Sequence, residues 1–430
     1  MKFLRFGVCL LITFAVAAHG VVEVWSESIF EIGAAVLFLT WGITATRSKD
    51  SKIYWSDLNW PIAAFFVWAI LQLALRITIY PFLTWTALLR WGACYMIFFV
   101  ASQVFRNRGE LRALTWFLVL LGFTVALEGI IQHFTSNGKI YWVRELQLGG
   151  ELFGPYVNRN HFAGLMELLI PIGLAFLVFR GVRRDLVPLT GLFTLVPVGA
   201  LVLSASRAGV LAFILEVVLL VAIFGVRKTG KIRLGPAVMF LLVLVGLIGW
   251  LGAGQMYERF TTKHASELPF TRRMSMAKGA ARVFLAHPLT GTGLGTLVVA
   301  FPRYETDYDG KLVDHAHNDY LEAFAELGLP GAIFGLAFLW ILASQGFAAL
   351  EPEQSHFSTA YHAAALVACF GLLIHSFVDF NLHIPSNALI FLLQAGLAVS
   401  PPLPPENPTR RNQRTSRSHS KVDMGVPASP

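Results

Sequence analysis

Asp314-His-Ala-His-Asn-Asp-Tyr-Leu-Glu-Ala-Phe-Ala-Glu-Leu-Gly-Leu-Pro-Gly331 runs directly into an apolar stretch that continues to Leu350. Two imidazoles, an amide and four carboxylates thus precede a segment long enough to cross a bilayer, which takes about 20 apolar residues. Asp319-x-x-Glu322 has the spacing of a capping box, which predicts a helix beginning near Asn318. Gly328 and Pro330 end that short helix and start the long apolar one. His317 falls on the N-terminal side, where the helix macrodipole disfavours imidazolium. A neutral imidazole at the mouth of a membrane helix is suited to general-base work. A lone histidine there would read as a solvated loop residue; the clustering of seven polar groups favours chemistry.

The rest of the chain supports a membrane setting. Of 430 residues, 55% are hydrophobic and only 14% charged, and the mean hydropathy is +0.61. So much apolar surface exceeds what a water-soluble core hides, which predicts an all-α polytopic membrane protein. Apolar runs fall near 4–22, 28–46, 60–79, 82–104, 112–131, 161–179, 186–204, 208–225, 234–253, 331–350, 358–377 and 384–400, giving about twelve transmembrane helices. Cys9, Cys94 and Cys369 each lie alone within an apolar run, so neither a disulfide framework nor a cysteine zinc site follows. Met1–Gly20 has a basic start and an apolar stretch but no convincing small-residue cleavage site, and is expected to be a retained first span.

Basic residues mark every second connection: Arg47/Lys49/Lys52, Arg106/Arg108/Arg112, Arg180/Arg183/Arg184 and Arg227/Lys228/Lys231/Arg233. These connections are expected to be cytoplasmic, with both termini inside. The 351–357 connection carries no Lys or Arg and adds nothing to that assignment. Two long connections, 133–160 and 254–330, are then outside, the second a partly helical periplasmic loop. The expected domains are a multispanning unit over 1–401, including loop 254–330, and a disordered basic cytoplasmic tail over 402–430. The net charge of +8 reflects this loop bias, and no nucleic-acid partner is expected; the lipid bilayer is.

The outer connections hold the chemistry-bearing residues. Phe153-Gly-Pro-Tyr-Val-Asn-Arg-Asn-His-Phe-Ala-Gly164 presents Arg159, Asn160 and His161, which can donate to sugar hydroxyls or phosphates. Arg207 lies in Ser204-Ala-Ser-Arg-Ala-Gly209 at an outer turn, where an arginine near bilayer depth calls for an anionic partner or water. Arg272-Arg273 precedes a helical stretch and then His287-Pro-Leu-Thr-Gly-Thr-Gly-Leu-Gly295, a glycine run without the Lys-Ser/Thr of a P-loop, read as a tight turn near a substrate. Glu305, Asp307 and Asp309 match the first calcium-loop positions, but Ala316 stands where the bidentate glutamate belongs. His315 and His317 have no third metal ligand at convincing spacing, so no metal and no cofactor is expected. His375-Ser-Phe-Val-Asp-Phe-Asn-Leu-His-Ile-Pro385 adds Asp379 and His383. Three separated segments are thus expected to converge on one polar chamber at the outer face.

This combination resembles the O-antigen ligase/polymerase superfamily of bacterial envelope glycosyltransferases. The resemblance is carried by Ser206-Arg-x-Gly209, Arg273 ahead of His287-Pro-Leu-x-Gly-x-Gly, His317-Asn-x-x-Leu321, Glu326-Leu-Gly-Leu-Pro-Gly331 and the Phe-Gly-x-x-x-Asn-x-Asn-His-x-Ala segment, over roughly residues 110–400. Ala277 departs from the aromatic residue common in relatives. The resemblance implies a GT-C-like glycosyltransferase of the bacterial inner membrane, active on the periplasmic side with a glycan on undecaprenyl diphosphate as donor. The acceptor would be a glycan, lipid A-core or protein. It implies that Arg207 and Arg273 hold the diphosphate and His317 activates the acceptor, with Arg272, His315, Asn318, Asn160, His161, Arg159, Asp379 and His383 lining the substrate site. The chemistry agrees: arginine forks suit phosphate oxygens, a base serves the incoming hydroxyl, no metal is required, and direct displacement inverts the anomeric centre. A flippase or transporter for the same lipid-linked glycan would also use intramembrane arginines, but calls for a midplane cavity rather than polar groups on one face.

Overall fold

In the computed structural model the described residues are 1–48, 52–145, 151–226, 246, 270–350 and 354–403. Among them the chain is helical, with no strand beyond two isolated bridges. The helices are α1 (Lys2–Ala17), α2 (Val24–Arg47), α3 (Asn59–Ala74), α4 (Pro81–Val104), α5 (Arg108–Thr135), α6 (Arg159–Val178), α7 (Val187–Leu203) and α8 (Arg207–Val226). After them come α9 (Phe270–Ala286), the short α10 (Leu297–Ala300), α11 (Asp319–Ala348), α12 (His356–His375) and α13 (Pro385–Ala398). Eight helices among the described residues are long and apolar enough to cross a membrane. Expected spans one, three and twelve coincide with α1, α3 and α13, which are shorter at 16, 16 and 14 residues. The ninth expected span, the cluster Arg227/Lys228/Lys231/Arg233, the start of the 254–330 loop and the tail from 404 lie outside the described residues.

The burial pattern is that of a bundle in a nonpolar solvent. On α2, Trp25, Ile29, Ile32, Val36, Leu39 and Ile43 are exposed at three- and four-residue steps, while Ser26, Phe30, Ala34 and Leu37 are buried. Apolar side chains on the outer face are stable only against lipid. α6 and α12, by contrast, are buried over almost their whole length and pack on each other at the centre. The residues at their ends are therefore held more rigidly than any loop would hold them.

Six arginines gather at one end of the bundle. Arg47, Arg106, Arg108, Arg180, Arg183 and Arg184 sit where α2, α4 and α6 end and α5 and α7 begin. The α11–α12 connection, which has no basic residue of its own, joins this end: Arg108 Nη1 donates to Ser355 Oγ at 3.2 Å. The opposite end gathers the starts of α6, α8, α11 and α13 with the end of α12, and all the polar segments singled out above.

α11 begins where the spacing predicts. Asn318 is its N-cap, its Oδ1 accepting from Leu321 N–H at 2.9 Å. Gly328 then breaks the helix at φ 65°, ψ −157°, a left-handed conformation open to glycine at little steric cost. α9, α10 and the 313–316 segment pack on the short first half of α11 through Met276, Ala280, Val283, Leu297, Val313 and Ala325. That small second core fixes the polar loop against the bundle.

Candidate functional site

The site is built where the turn after α12 meets the starts of α6 and α11. Asp379 is fully buried in that turn. Its Oδ2 accepts from Asn160 Nδ2 at 2.7 Å, and its Oδ1 lies 3.3 Å from His317 Nδ1 and 3.6 Å from His161 Nε2. Burial by itself would raise this carboxyl, but the His161 and His317 imidazoles beside it outweigh that and hold Asp379 well below the usual carboxylate range. Ser206 Oγ donates to Asn160 Oδ1 at 2.9 Å, which ties the Ser206–Gly209 turn to the same centre and places Arg207 next to it. Gly209 is the residue that lets this approach occur: a Cβ there would come 2.6 Å from Ala163 Cβ and 3.1 Å from Glu167 Oε1.

Arg273 reaches the site from α9, donating from Nη1 to Val378 O at 3.0 Å, one residue before Asp379. Its Nε is buried without a hydrogen-bond partner. Asn318 Nδ2 donates to Phe377 O at 2.8 Å, and Asp319 N–H to Ser376 O at 3.0 Å. The α12 turn and the α11 N-terminus are thereby clamped together. His317 sits between them at φ 49°, a left-handed conformation that costs a non-glycine residue about 1–2 kcal/mol. Such strain persists where surrounding contacts over-determine the backbone, and the clamp on either side supplies those contacts.

Phe380 organises the rings. His315 stacks on it with centroids 4.3 Å apart and planes at 19°. His161 and His317 meet it edge-on at 4.7 and 4.9 Å. His315 and His317 then diverge, for His315 Nδ1 lies 2.7 Å from Glu322 Oε1 rather than near Asp379. Glu322 Oε2 accepts Ala316 N–H at 2.8 Å. His383 Nδ1 is 2.7 Å from Asp319 Oδ1 and its Nε2 3.2 Å from Glu322 Oε1. Burial opposes the imidazolium, yet Glu322 and Asp319 override it and push His383 up to about 10. The carboxylates spaced like a capping box therefore act on histidines across the fold, and the cap itself is Asn318.

Several expected substrate ligands are occupied within the protein. The amides of Asn160 and Asn318 each have an accepting and a donating partner. Arg159 pairs with Glu151. Arg272, one residue from Arg273, turns the other way: its Nη2 donates to Glu305 at 2.6 Å and Asp309 at 3.0 Å, and Nη1 to Asp307 O. Adjacent helical positions point about 100° apart, so α9 sends Arg273 to the α12 turn and commits Arg272 to the acidic loop. The glycine run is committed as well: Gly295 and Leu297 N–H groups bind the two oxygens of Glu326 at 2.7 and 2.9 Å. His317, Arg207 and Arg273 lie on three elements tied to the Asp379 turn. None of the three lines the cavity of about 180 Å³ that is bounded by Arg90, Trp91, Asp314, His315, Glu322 and His383.

A family model described as O-antigen ligase matches residues 192–336. The matched segment contains Arg207, Arg273 and His317, and it bears out the resemblance to the O-antigen ligase/polymerase superfamily. No curated protein matches the chain. With its apolar helices, the match fits a multi-pass membrane protein.

Proposed function

We propose that the chain transfers a glycan from undecaprenyl diphosphate to an acceptor hydroxyl, at the periplasmic face of the bacterial inner membrane. The observation that carries this reading is the pairing of His317 with the buried Asp379, beside a turn that also anchors Arg273. A carboxylate at Nδ1 sets the tautomer that leaves the Nε2 lone pair free, as in other carboxylate–histidine bases. The acceptor O–H gives its proton to Nε2 as its oxygen bonds the anomeric carbon. The bond from that carbon to the diphosphate oxygen breaks, and the electron pair leaves with the diphosphate. Arg207 and Arg273 neutralise the charge that develops there, supplying in paired guanidinium forks what a metal ion supplies elsewhere. One displacement inverts the anomeric configuration. Glycan, lipid A-core and protein acceptors all present the same hydroxyl to His317, so acceptor choice resides in the surrounding loops.

The test is transfer by purified protein from a lipid-linked donor, with the anomeric configuration of the product read by NMR. Inversion supports single displacement. Retention, or donor crossing a vesicle membrane without transfer, would rule the mechanism out.

A further inference from the structure

The cluster on the other side of the polar loop, His315, Glu322 and His383, takes no part in that mechanism. Its ligand atoms are two imidazole nitrogens and one carboxylate oxygen, all within 4.8 Å of one another. Tetrahedral ligands at zinc bond lengths of about 2.0–2.2 Å stand about 3.3–3.5 Å apart. Here Glu322 Oε1 is 2.7 Å from His315 Nδ1 and 3.2 Å from His383 Nε2, with all three atoms within 4.8 Å, so Glu322 must open away from His315 and the rings must shift to complete the geometry.

We propose that His315, Glu322 and His383 bind a divalent transition-metal ion, best matched by zinc, whose fourth position opens into the adjoining cavity.

Each ligand is already oriented by a second contact. Ala316 N–H holds Glu322 Oε2, which leaves Oε1 facing both rings. Phe380 fixes the plane of His315. Asp319 Oδ1 meets His383 Nδ1 at 2.7 Å and is itself steadied by Leu382 N–H on Oδ2 at 3.1 Å. A carboxylate on the far nitrogen of a ligating histidine is the usual outer partner of zinc-bound imidazole. Charge argues the same way. Glu322 and Asp319 are buried, and a dication that displaces the His383 proton balances both. Arg90, the basic side chain lining the cavity, is paired to Glu27 at 2.7 Å. Two nitrogens and one oxygen favour zinc and its neighbours over calcium or magnesium, which prefer all-oxygen shells.

The ion would tie the start of α11, the 381–383 turn and the loop two residues before His317 into one unit. This holds the strained His317 backbone in place, and no transfer step runs through the metal. The site rests on its own geometry; only its role as a brace depends on the glycosyl-transfer reading.

The experiment uses the full chain in detergent, without a polyhistidine tag, stripped with EDTA and titrated with Zn²⁺ by calorimetry and with Co²⁺ by visible absorption. About one zinc per chain and tetrahedral cobalt bands are expected for wild type and for His317→Ala. Glu322→Gln, His383→Ala and His315→Ala should lose stoichiometric binding, and Asp319→Asn should weaken it about 10–100-fold. His315→Ala removes the most exposed of the three ligands, so it decides the matter if the buried variants fail to fold. Wild type without stoichiometric zinc, or folded His315→Ala and Glu322→Gln with wild-type affinity, would overturn the site. Because His317→Ala keeps zinc while losing transfer, failure of the metal site and failure of the mechanism are separable.

Discussion

Asp379 Oδ1 lies 3.3 Å from His317 Nδ1, bringing a buried carboxylate of the turn after α12 against the residue that precedes the α11 N-cap. The pairing predicts that Asp379→Asn keeps a side chain of the same shape yet lowers the transfer rate about 10²–10⁴-fold, the usual weight of a positioned base. The loss should fall on kcat, since the carboxylate is fully buried. Equal losses in donor binding and turnover would count against it.

The same carboxylate sets an acid-stability prediction. Its folded pKa lies well below the ordinary 3.8, so the unfolded chain binds the proton more readily. Stability from this group is fully present above about pH 4 and is lost as the pH falls through the depressed folded value. Asp379→Asn should be less stable than wild type by about 1.5–3 kcal/mol at neutral pH. Denaturant titrations should show the gap narrowing below pH 4, and a gap that widens on acidification would contradict the sign.

Arg207 and Arg273 are expected to require the guanidinium itself. Arg273→Lys loses the planar fork that donates to Val378 O and that the proposed diphosphate contact needs. Donor binding measured on folded variants should weaken at least tenfold for each Lys substitution. Wild-type binding by either would remove that arginine from the diphosphate site.

Arg272 should behave differently from its neighbour. It is buried with Glu305, and breaking a buried pair costs about 3–5 kcal/mol. Arg272→Gln is expected to lower the melting temperature, with residual folded protein binding donor normally. A selective loss of donor binding at unchanged stability would return Arg272 to the substrate site.

Gly209→Val tests the close approach of α8 to α6. Its side chain would press on Ala163 and Glu167, with an overpacking cost of about 1–3 kcal/mol. A thermal melt unchanged from wild type would show that the helices separate without penalty.

The basic and polar ends should face opposite compartments. Single cysteines at Lys311 and at Arg108 should be labelled by an impermeant reagent from the periplasmic side and only after permeabilisation, respectively. Labelling of both from one side would reverse or dismantle the orientation.

Much of this architecture was legible in the sequence because it is local. Apolar runs located eleven of the expected spans at helices, and Asn318 and Gly328 marked the start and break of α11 through capping and left-handed backbone. The segments of Asn160, His317 and Asp379 were expected to converge, and they do. Pairings across the fold were hidden. Asp319 and Glu322 have the spacing of a helix start, and only tertiary structure turns them onto His383 and His315. Phe380 carries no signal apart from apolarity, yet three imidazoles pack on it. Arg272 and Arg273 look equivalent in sequence and are separated only by the rotation of α9.

In the proposed mechanism His317 takes the acceptor's proton while Arg207 and Arg273 hold the donor. The most direct measurement compares donor binding and transfer for His317→Ala in folded, membrane-inserted protein. Donor affinity within about threefold of wild type, with transfer lowered about 10²–10⁴-fold, is the predicted result. Transfer at the wild-type rate by His317→Ala would contradict it.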